Sequence, residues 1–216
     1  MAEGADGNGR TWATAVVVLV LLAAWLLGHG GHLPGTTAPP GGRDLAAAAA
    51  DHPPQVYAAH VPLRAAVPTR IDIPSAGIHA GLVARGLKDG AVDPPPYSTP
   101  DVAGWYRGGP APGASGAAVI VGHVDTETQP AVFYGLSTVT RGALVSVTRD
   151  DGTVADFAVE AVETEEKAHF DAHRVYGSAG RPELRLITCG GSFDETAQTY
   201  SANVVVYAAL TGSHRA

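Results

Sequence analysis

The segment Gly142–Glu166 constrains the fold more than any other part of this sequence. It reads GALVSVTRDDGTVADFAVEAVETEE, and apolar residues alternate with polar ones on both sides of the Asp-Asp-Gly triplet. Alternation with a period of two is typical of a half-buried strand, and Asp-Gly between two such runs favours a tight turn. The segment therefore predicts a β-hairpin.

Other short apolar runs predict that the folded part of the chain is all-β. A charged content of only 16%, with 27 Gly and 16 Pro residues, favours a turn-rich β protein over a helical bundle. About seven or eight short strands with turns at regular spacing indicate a sandwich or a closed barrel. Ala131–Val139 has the spacing of a short surface helix, and Phe170–Gly177 that of one or two helical turns. Further strands are expected at Thr69–Ser75, Ile78–Gly86, Gly116–Asp125, Glu183–Cys189 and Asn203–Leu210.

The N-terminal third differs from the rest of the chain in composition. Trp12–Leu27 contains a single polar residue, Thr14, and a membrane-spanning helix needs roughly 17–25 apolar residues. The next stretch is rich in Ala, Pro and Gly and cannot bury enough apolar surface to offset its ordering entropy. We therefore expect a short cytoplasmic tail (1–11), a transmembrane anchor (12–28), a disordered spacer (29–66) and a folded domain (67–212).

This organisation predicts a single-pass protein of the cell membrane with its folded domain outside the cell. Positive charge on the cytoplasmic side gives little support, since Arg10 is opposed by Glu3 and Asp6. A cleaved signal peptide is the main alternative for the apolar run, and a buried core helix is another.

Charge and cysteine content exclude several classes of function. The net charge of −7 argues against a nucleic-acid-binding protein, which would carry a basic patch. A single cysteine excludes an internal disulfide and a multi-cysteine metal site. His169 and His173 have the spacing of a metal-binding pair, but no third ligand is nearby, so a solvated surface is favoured. We expect no metal and no cofactor.

The single cysteine, Cys189, comes at the end of the apolar strand ELRLITC and before Gly190 and Gly191. A lone cysteine is more often inert than reactive, and a reactive thiol needs a partner that accepts its proton. His123 ends a strand of the same kind, AVIVGH, again beside a glycine. If both strand ends meet at one rim of a barrel, the thiol and the imidazole come together.

Acyl transfer by a thiol also requires a donor for the developing oxyanion. Strand periodicity puts Arg185 and Ile187 on the same face as Cys189, with Leu184, Leu186 and Thr188 on the other. Arg185 is therefore a candidate oxyanion donor, although it lies about 13 Å away along the strand. A solvent-facing strand arginine is the alternative.

The ordered set of motifs resembles the sortase family, the cysteine transpeptidases of Gram-positive cell surfaces. The segments GWYRGGPAPGASGAAVIVGHVDT, AVFYGL, DGTVADFAV and LRLITCGGSFD…YSANVVVYA are most similar to actinobacterial class F sortases. The resemblance covers nearly all of residues 67–210, and the N-terminal anchor and spacer are also typical of the family.

The resemblance implies a closed eight-stranded β-barrel with short helices. Cys189 would cleave an LPXTG-like sorting signal between Thr and Gly and form an acyl-thioester, with His123 as general acid and base. An amine of a peptidoglycan precursor or a pilin lysine would then accept the acyl group.

One position departs from the family pattern. Many sortases have an arginine at the start of the final strand, where the register places Asn203, which leaves Asn203 or Arg185 as the candidate donor. Two alternatives remain open for the function: an exported cysteine hydrolase on the same scaffold, and a non-enzymatic surface β domain.

Overall fold

A computed structural model describes residues 60–216, which form an all-β closed barrel. Eight strands close the barrel in the order β1-β2-β5-β6-β9-β10-β8-β7, and β3 and β4 form a separate two-stranded sheet. The strands β1 to β10 are, in chain order, Pro68–Ile73, Ile78–Arg85, Leu87–Lys88, Ala91–Val92, Val102–Tyr106, Gly116–Val121, Leu144–Arg149, Thr153–Glu166, Pro182–Asp194 and Thr199–Arg215. The expected barrel is thus confirmed for this part of the chain.

The predicted cytoplasmic tail, membrane anchor and most of the spacer lie outside the described residues. Within 60–216, none of the helices has the length and apolar character needed to cross a membrane. Contacts with the barrel begin before Val67, because Leu63 packs against the core and its N–H donates to the Gly113 carbonyl at 2.8 Å. The final strand continues past the expected boundary at residue 212 to Arg215.

The hairpin predicted from alternation is formed by β7 and β8. The strands pair from Leu144 opposite Ala158 to Thr148 opposite Val154, and Gly152 in the turn has φ 75°, a conformation that favours glycine. The inward-facing side chains are fully buried, including Val145, Val147, Phe157 and Val159. Burying each of these contributes roughly 1.5–3 kcal/mol, so the alternation fixes which face of the hairpin lies in the core.

The segment Ala131–Val139 differs from the predicted surface helix. Only Leu136–Thr138 is helical, as a single 3-10 turn, and Phe133 and Leu136 are completely buried in the core. The two apolar residues that produced the helical spacing instead pack into the hydrophobic core of the barrel. The other predicted helix is present as one short element, α1, at Ala172–Tyr176.

Strand β9 also differs from the prediction, because it does not end at Cys189. Its pairing with β6 ends at Val121 opposite Ile187, but its pairing with β10 continues to Asp194 opposite Thr199. The apolar run marks the part of β9 that is covered on both faces. Residues 188–194 of β9 continue beyond the end of β6 and pair with residues 199–204 of β10, and this segment is named the β9–β10 arm.

Candidate active site

Cys189 lies on the β9–β10 arm, just beyond the last residue of β9 that pairs with β6. It is a free thiol of intermediate exposure, and Asn203 of β10 is its direct partner in the antiparallel register. Directly opposed side chains project from the same face with Cβ atoms about 4.5–5.5 Å apart. The structure therefore places the amide of Asn203 beside the thiol.

The two glycines after Cys189 are required by packing and backbone conformation. A Cβ at Gly190 would lie 2.6 Å from Cγ2 of Val204. Gly191 has φ 78°, and the register shifts between Tyr200 and Ala202 on the facing strand. A glycine in the left-handed region at a register shift is typical of a β-bulge, which increases the twist of the strand just after the thiol.

His123 follows the end of β6, on the loop 122–130. The N–H of Gly122 donates to the Ile187 carbonyl at 3.1 Å, so the loop starts directly beside β9. Gly122 has no room for a side chain, since an added Cβ would lie 2.6 Å from Val132 and 2.8 Å from Phe133. The absence of a side chain at Gly122 thus lets the backbone just before His123 pack closely against Val132 and Phe133.

Two residues of a proline-rich loop orient the His123 ring. Nε2 lies 2.8 Å from the carbonyl oxygen of Pro95, and Tyr97 stacks on the imidazole with centroids 4.0 Å apart and planes 20° from parallel. A carbonyl only accepts hydrogen bonds, so Nε2 carries the proton of this bond. Nδ1 is then the nitrogen that is left to accept or release a proton during a reaction.

Cys189, His123 and Asn203 line one cleft of about 430 Å³. Its walls are mostly apolar and aromatic, and Lys167 is the one lysine or arginine among its lining residues. The Lys167 ammonium donates to the hydroxyl of Thr199 at 3.1 Å. The apolar and aromatic members of the wall are Ala91, Val92, Pro94, Tyr97, Val121, Phe170, Tyr176 and Ile187.

Arg185 does not line this cleft, although it shares a strand face with Cys189 as periodicity predicted. It is only 6% exposed. Its Nε donates to the Val175 carbonyl at 3.0 Å, and its Nη2 donates to Gly177 O at 3.3 Å and to the Glu183 carboxylate at 2.7 Å. The guanidinium therefore joins the C-terminal end of α1 to strand β9 by hydrogen bonds. These bonds already use its N–H donors.

Three features near the site carry no clear local sequence signal. Pro95 and Tyr97 reach His123 from a different loop, and Thr188, next to the thiol, has a buried hydroxyl with no hydrogen-bond partner within residues 60–216. Tyr200 of β10 donates a hydrogen bond to the carboxylate of Asp125. Of these, only Tyr97, an aromatic residue directly after three prolines, gives a signal that is visible in the sequence.

The sortase domain model matches residues 71–211 of the chain. Similar solved structures include sortase A from Listeria monocytogenes, with TM-score 0.53, 17% identity, and coverage of 71% of this chain and 92% of that one. Sortase C-1 from Actinomyces oris has TM-score 0.52 and 19% identity, with coverage of 67% and 73%. Sortase A from Corynebacterium diphtheriae has TM-score 0.51 and 20% identity, with coverage of 69% and 62%.

At these identities the structural likeness concerns the fold. A search of curated protein sequences found no match. The family model covers well over half of the chain, and the barrel and its ordered strand ends agree with it. The chain belongs to the sortase family of cysteine transpeptidases.

Proposed function

We propose that this sortase cleaves an LPXTG-like sorting signal between Thr and Gly and transfers the acyl group to an amine at the cell surface. The observation that carries the proposal is the shared cleft, in which a free thiol, an imidazole and an amide lie at the end of an apolar wall. These are the nucleophile, the proton carrier and the hydrogen-bond donor that thiol acyl transfer requires.

In the proposed first step, Nδ1 of His123 takes the proton of the Cys189 thiol, and the sulfur attacks the threonine carbonyl carbon. The C–N bond to glycine breaks as Nδ1 passes this proton to the leaving amine, and a thioester remains on Cys189. In the second step the incoming amine attacks the thioester carbon and loses a proton to Nδ1 of His123. The C–S bond then breaks, and the leaving sulfur takes that proton back, which releases the thiol and a new amide.

Asn203 is our candidate for the side chain that stabilises the oxyanion. It lies opposite Cys189, and its amide forms no side-chain hydrogen bond with the described residues. An amide donor supplies a hydrogen bond without a positive charge. Arg185 is the weaker candidate, because its guanidinium is bonded to α1 and Glu183.

The apolar wall of the cleft fits the leucine and proline of such a signal. Phe170 and Tyr176 line it with ring centroids 5.8 Å apart. Val121 and Ile187 also line it, two positions before His123 and Cys189 in the chain. Burial of two apolar side chains supplies binding energy that positions the scissile bond.

The chemistry also requires an acceptor, for which we propose a peptidoglycan precursor or a pilin lysine. The segment Trp12–Leu27 would anchor the enzyme in the cell membrane with its catalytic domain outside, where such amines occur. The motifs around His123 and Cys189 favour an actinobacterial enzyme of class F.

Incubation of the full chain in detergent with an LPXTG peptide, with and without an amine acceptor, tests the proposal. A new amide in the presence of the amine supports it. Peptide cleavage that gives no amide product when the amine is present identifies a hydrolase. If neither turnover nor a covalent adduct is observed, the chain is a non-catalytic surface domain. The Cys189→Ala variant should lose all turnover, and His123→Ala nearly all.

A further inference from the structure

The two catalytic residues are carried by chain segments that separate just before them. Strands β6 and β9 pair in parallel up to Val121 and Ile187, and one more backbone hydrogen bond follows, from Gly122. Beyond that point His123 lies on the loop 122–130 and Cys189 lies on the β9–β10 arm. The spacing between imidazole and thiol therefore depends on contacts made past the end of the β6–β9 pairing.

One side-chain hydrogen bond joins these two segments within the part of the chain that the structure describes. The hydroxyl of Tyr200, on the β9–β10 arm, donates to the carboxylate of Asp125, two residues after His123 in the loop. The other side-chain hydrogen bonds of the loop stay inside it or go to Pro95.

Both ends of this hydrogen bond are held by further contacts. The backbone of Asp125 forms an isolated β-bridge with Pro130. The Tyr200 ring packs against Phe193, its partner in the register, with centroids 5.0 Å apart. Because both groups are restrained, their hydrogen bond limits how far the loop 122–130 can move relative to the β9–β10 arm.

The Tyr200 hydroxyl keeps the proton of this hydrogen bond at neutral pH. The hydrogen bond to Asp125 is the main cause that raises the pKa of Tyr200 to about 12, followed by burial, the charge of Asp125, and the nearby Cys189 and Tyr134. The hydroxyl therefore keeps its proton over the whole neutral range, and that proton is directed to Asp125 and not to the thiol.

We propose that Tyr200 and Asp125 are positioning residues that set the distance between the His123 imidazole and the Cys189 thiol. The inference rests on the proposed roles of those two residues. A displacement of about 1 Å of catalytic groups can cost roughly 100-fold in rate, so losing the bond should lower kcat by about 10- to 100-fold. KM should change little, because the apolar residues of the wall lie outside the loop 122–130 and the β9–β10 arm.

The test compares Tyr200→Phe with Tyr134→Phe in the full-length enzyme. Both changes remove one hydroxyl, and Tyr134 is an exposed neighbour, at 60% exposure, without this bond. Tyr200→Phe should lower kcat for an LPXTG peptide while KM stays within about twofold, and Tyr134→Phe should leave both unchanged. Asp125→Asn retains an acceptor oxygen and should recover part of the activity that Asp125→Ala loses.

A second measurement is independent of turnover. The pH profile of Cys189 alkylation by iodoacetamide depends on how close the imidazole lies to the thiol. Tyr200→Phe should move this profile toward that of His123→Ala, whereas Tyr134→Phe should match the wild type. If the wild type fails to turn over, the proposed function fails and the alkylation profile still decides the positioning role. Equal behaviour of Tyr200→Phe and Tyr134→Phe in alkylation would overturn it.

Discussion

Replacing Arg185 by alanine separates a structural role of this residue from a catalytic one. The change removes the hydrogen bonds to the Val175 and Gly177 carbonyls and the ion pair with Glu183. It also removes the guanidinium that lies 4.7 Å from the centre of the Tyr207 ring. Among the described polar side chains, only Arg174, which forms ion pairs with Glu163 and Glu165, would then still join α1 to the barrel.

The cost follows from the burial of the pair. Arg185 and Glu183 are 6% and 5% exposed, and breaking a buried ion pair costs about 3–5 kcal/mol. Glu183 keeps a second partner, Arg181, at 2.5 Å, so its charge is not left uncompensated. We therefore expect the lower end, about 3 kcal/mol, which still leaves most domains of typical stability folded.

The assay combines urea denaturation with separate measurements of kcat and KM. Tyr176 of α1 lines the cleft, so a loosened helix should raise KM, while kcat per folded enzyme stays within about threefold. Arg174→Ala is the matched control, because Arg174 also lies over Tyr207 but is 52% exposed. Its exposed ion pairs should cost no more than about 1 kcal/mol.

The opposite pattern would refute this reasoning. If Arg185 donated to the oxyanion, its removal would lower kcat by about 100- to 1,000-fold. An unchanged free energy of unfolding together with such a loss would establish a catalytic role and remove the structural one.

Three further changes probe the rest of the site. Gly122→Ala should lower the free energy of unfolding by about 1–3 kcal/mol, because the methyl group would collide with Phe133; unchanged urea denaturation would contradict this. Thr188→Val should raise that free energy by about 1 kcal/mol, since it replaces an unpartnered buried hydroxyl; a loss of stability would show that the hydroxyl is bonded. The raised pKa of Tyr200, from 10.0 to about 12, means that its protonated form stabilises the fold. That contribution is complete below pH 10 and is lost as the pH rises toward 12, so the urea midpoints of wild type and Tyr200→Phe should converge there. If the two urea midpoints stay equally far apart up to pH 12, the raised pKa of Tyr200 does not contribute to stability in this way.

Local patterns in the sequence were sufficient for much of the barrel. Alternation around Asp-Asp-Gly predicted the β7–β8 hairpin, and the same periodicity placed Arg185 and Cys189 on one face of β9. The pattern succeeded because burial of one face determines the register. It failed at Phe133 and Leu136, where helical spacing arose from two residues that are buried in the core without forming a regular helix.

The surroundings of the candidate site could not be predicted in the same way. The partner of His123 is a backbone carbonyl at Pro95, and a carbonyl has no residue identity to find in a sequence. Tyr200 and Asp125 are 75 positions apart, and only the closed barrel brings them together. The bulge at Gly191 depends on the pairing of β9 with β10, which local propensity does not specify.

Intact-mass analysis of the full chain with an LPXTG peptide, quenched in acid before deacylation, tests the central claim most directly. We predict an adduct with the mass of the peptide acyl portion up to threonine, located on Cys189 and sensitive to hydroxylamine. It should be absent in Cys189→Ala and strongly reduced in His123→Ala. Peptide cleavage by Cys189→Ala at the wild-type rate, or an adduct on another residue, would contradict the account.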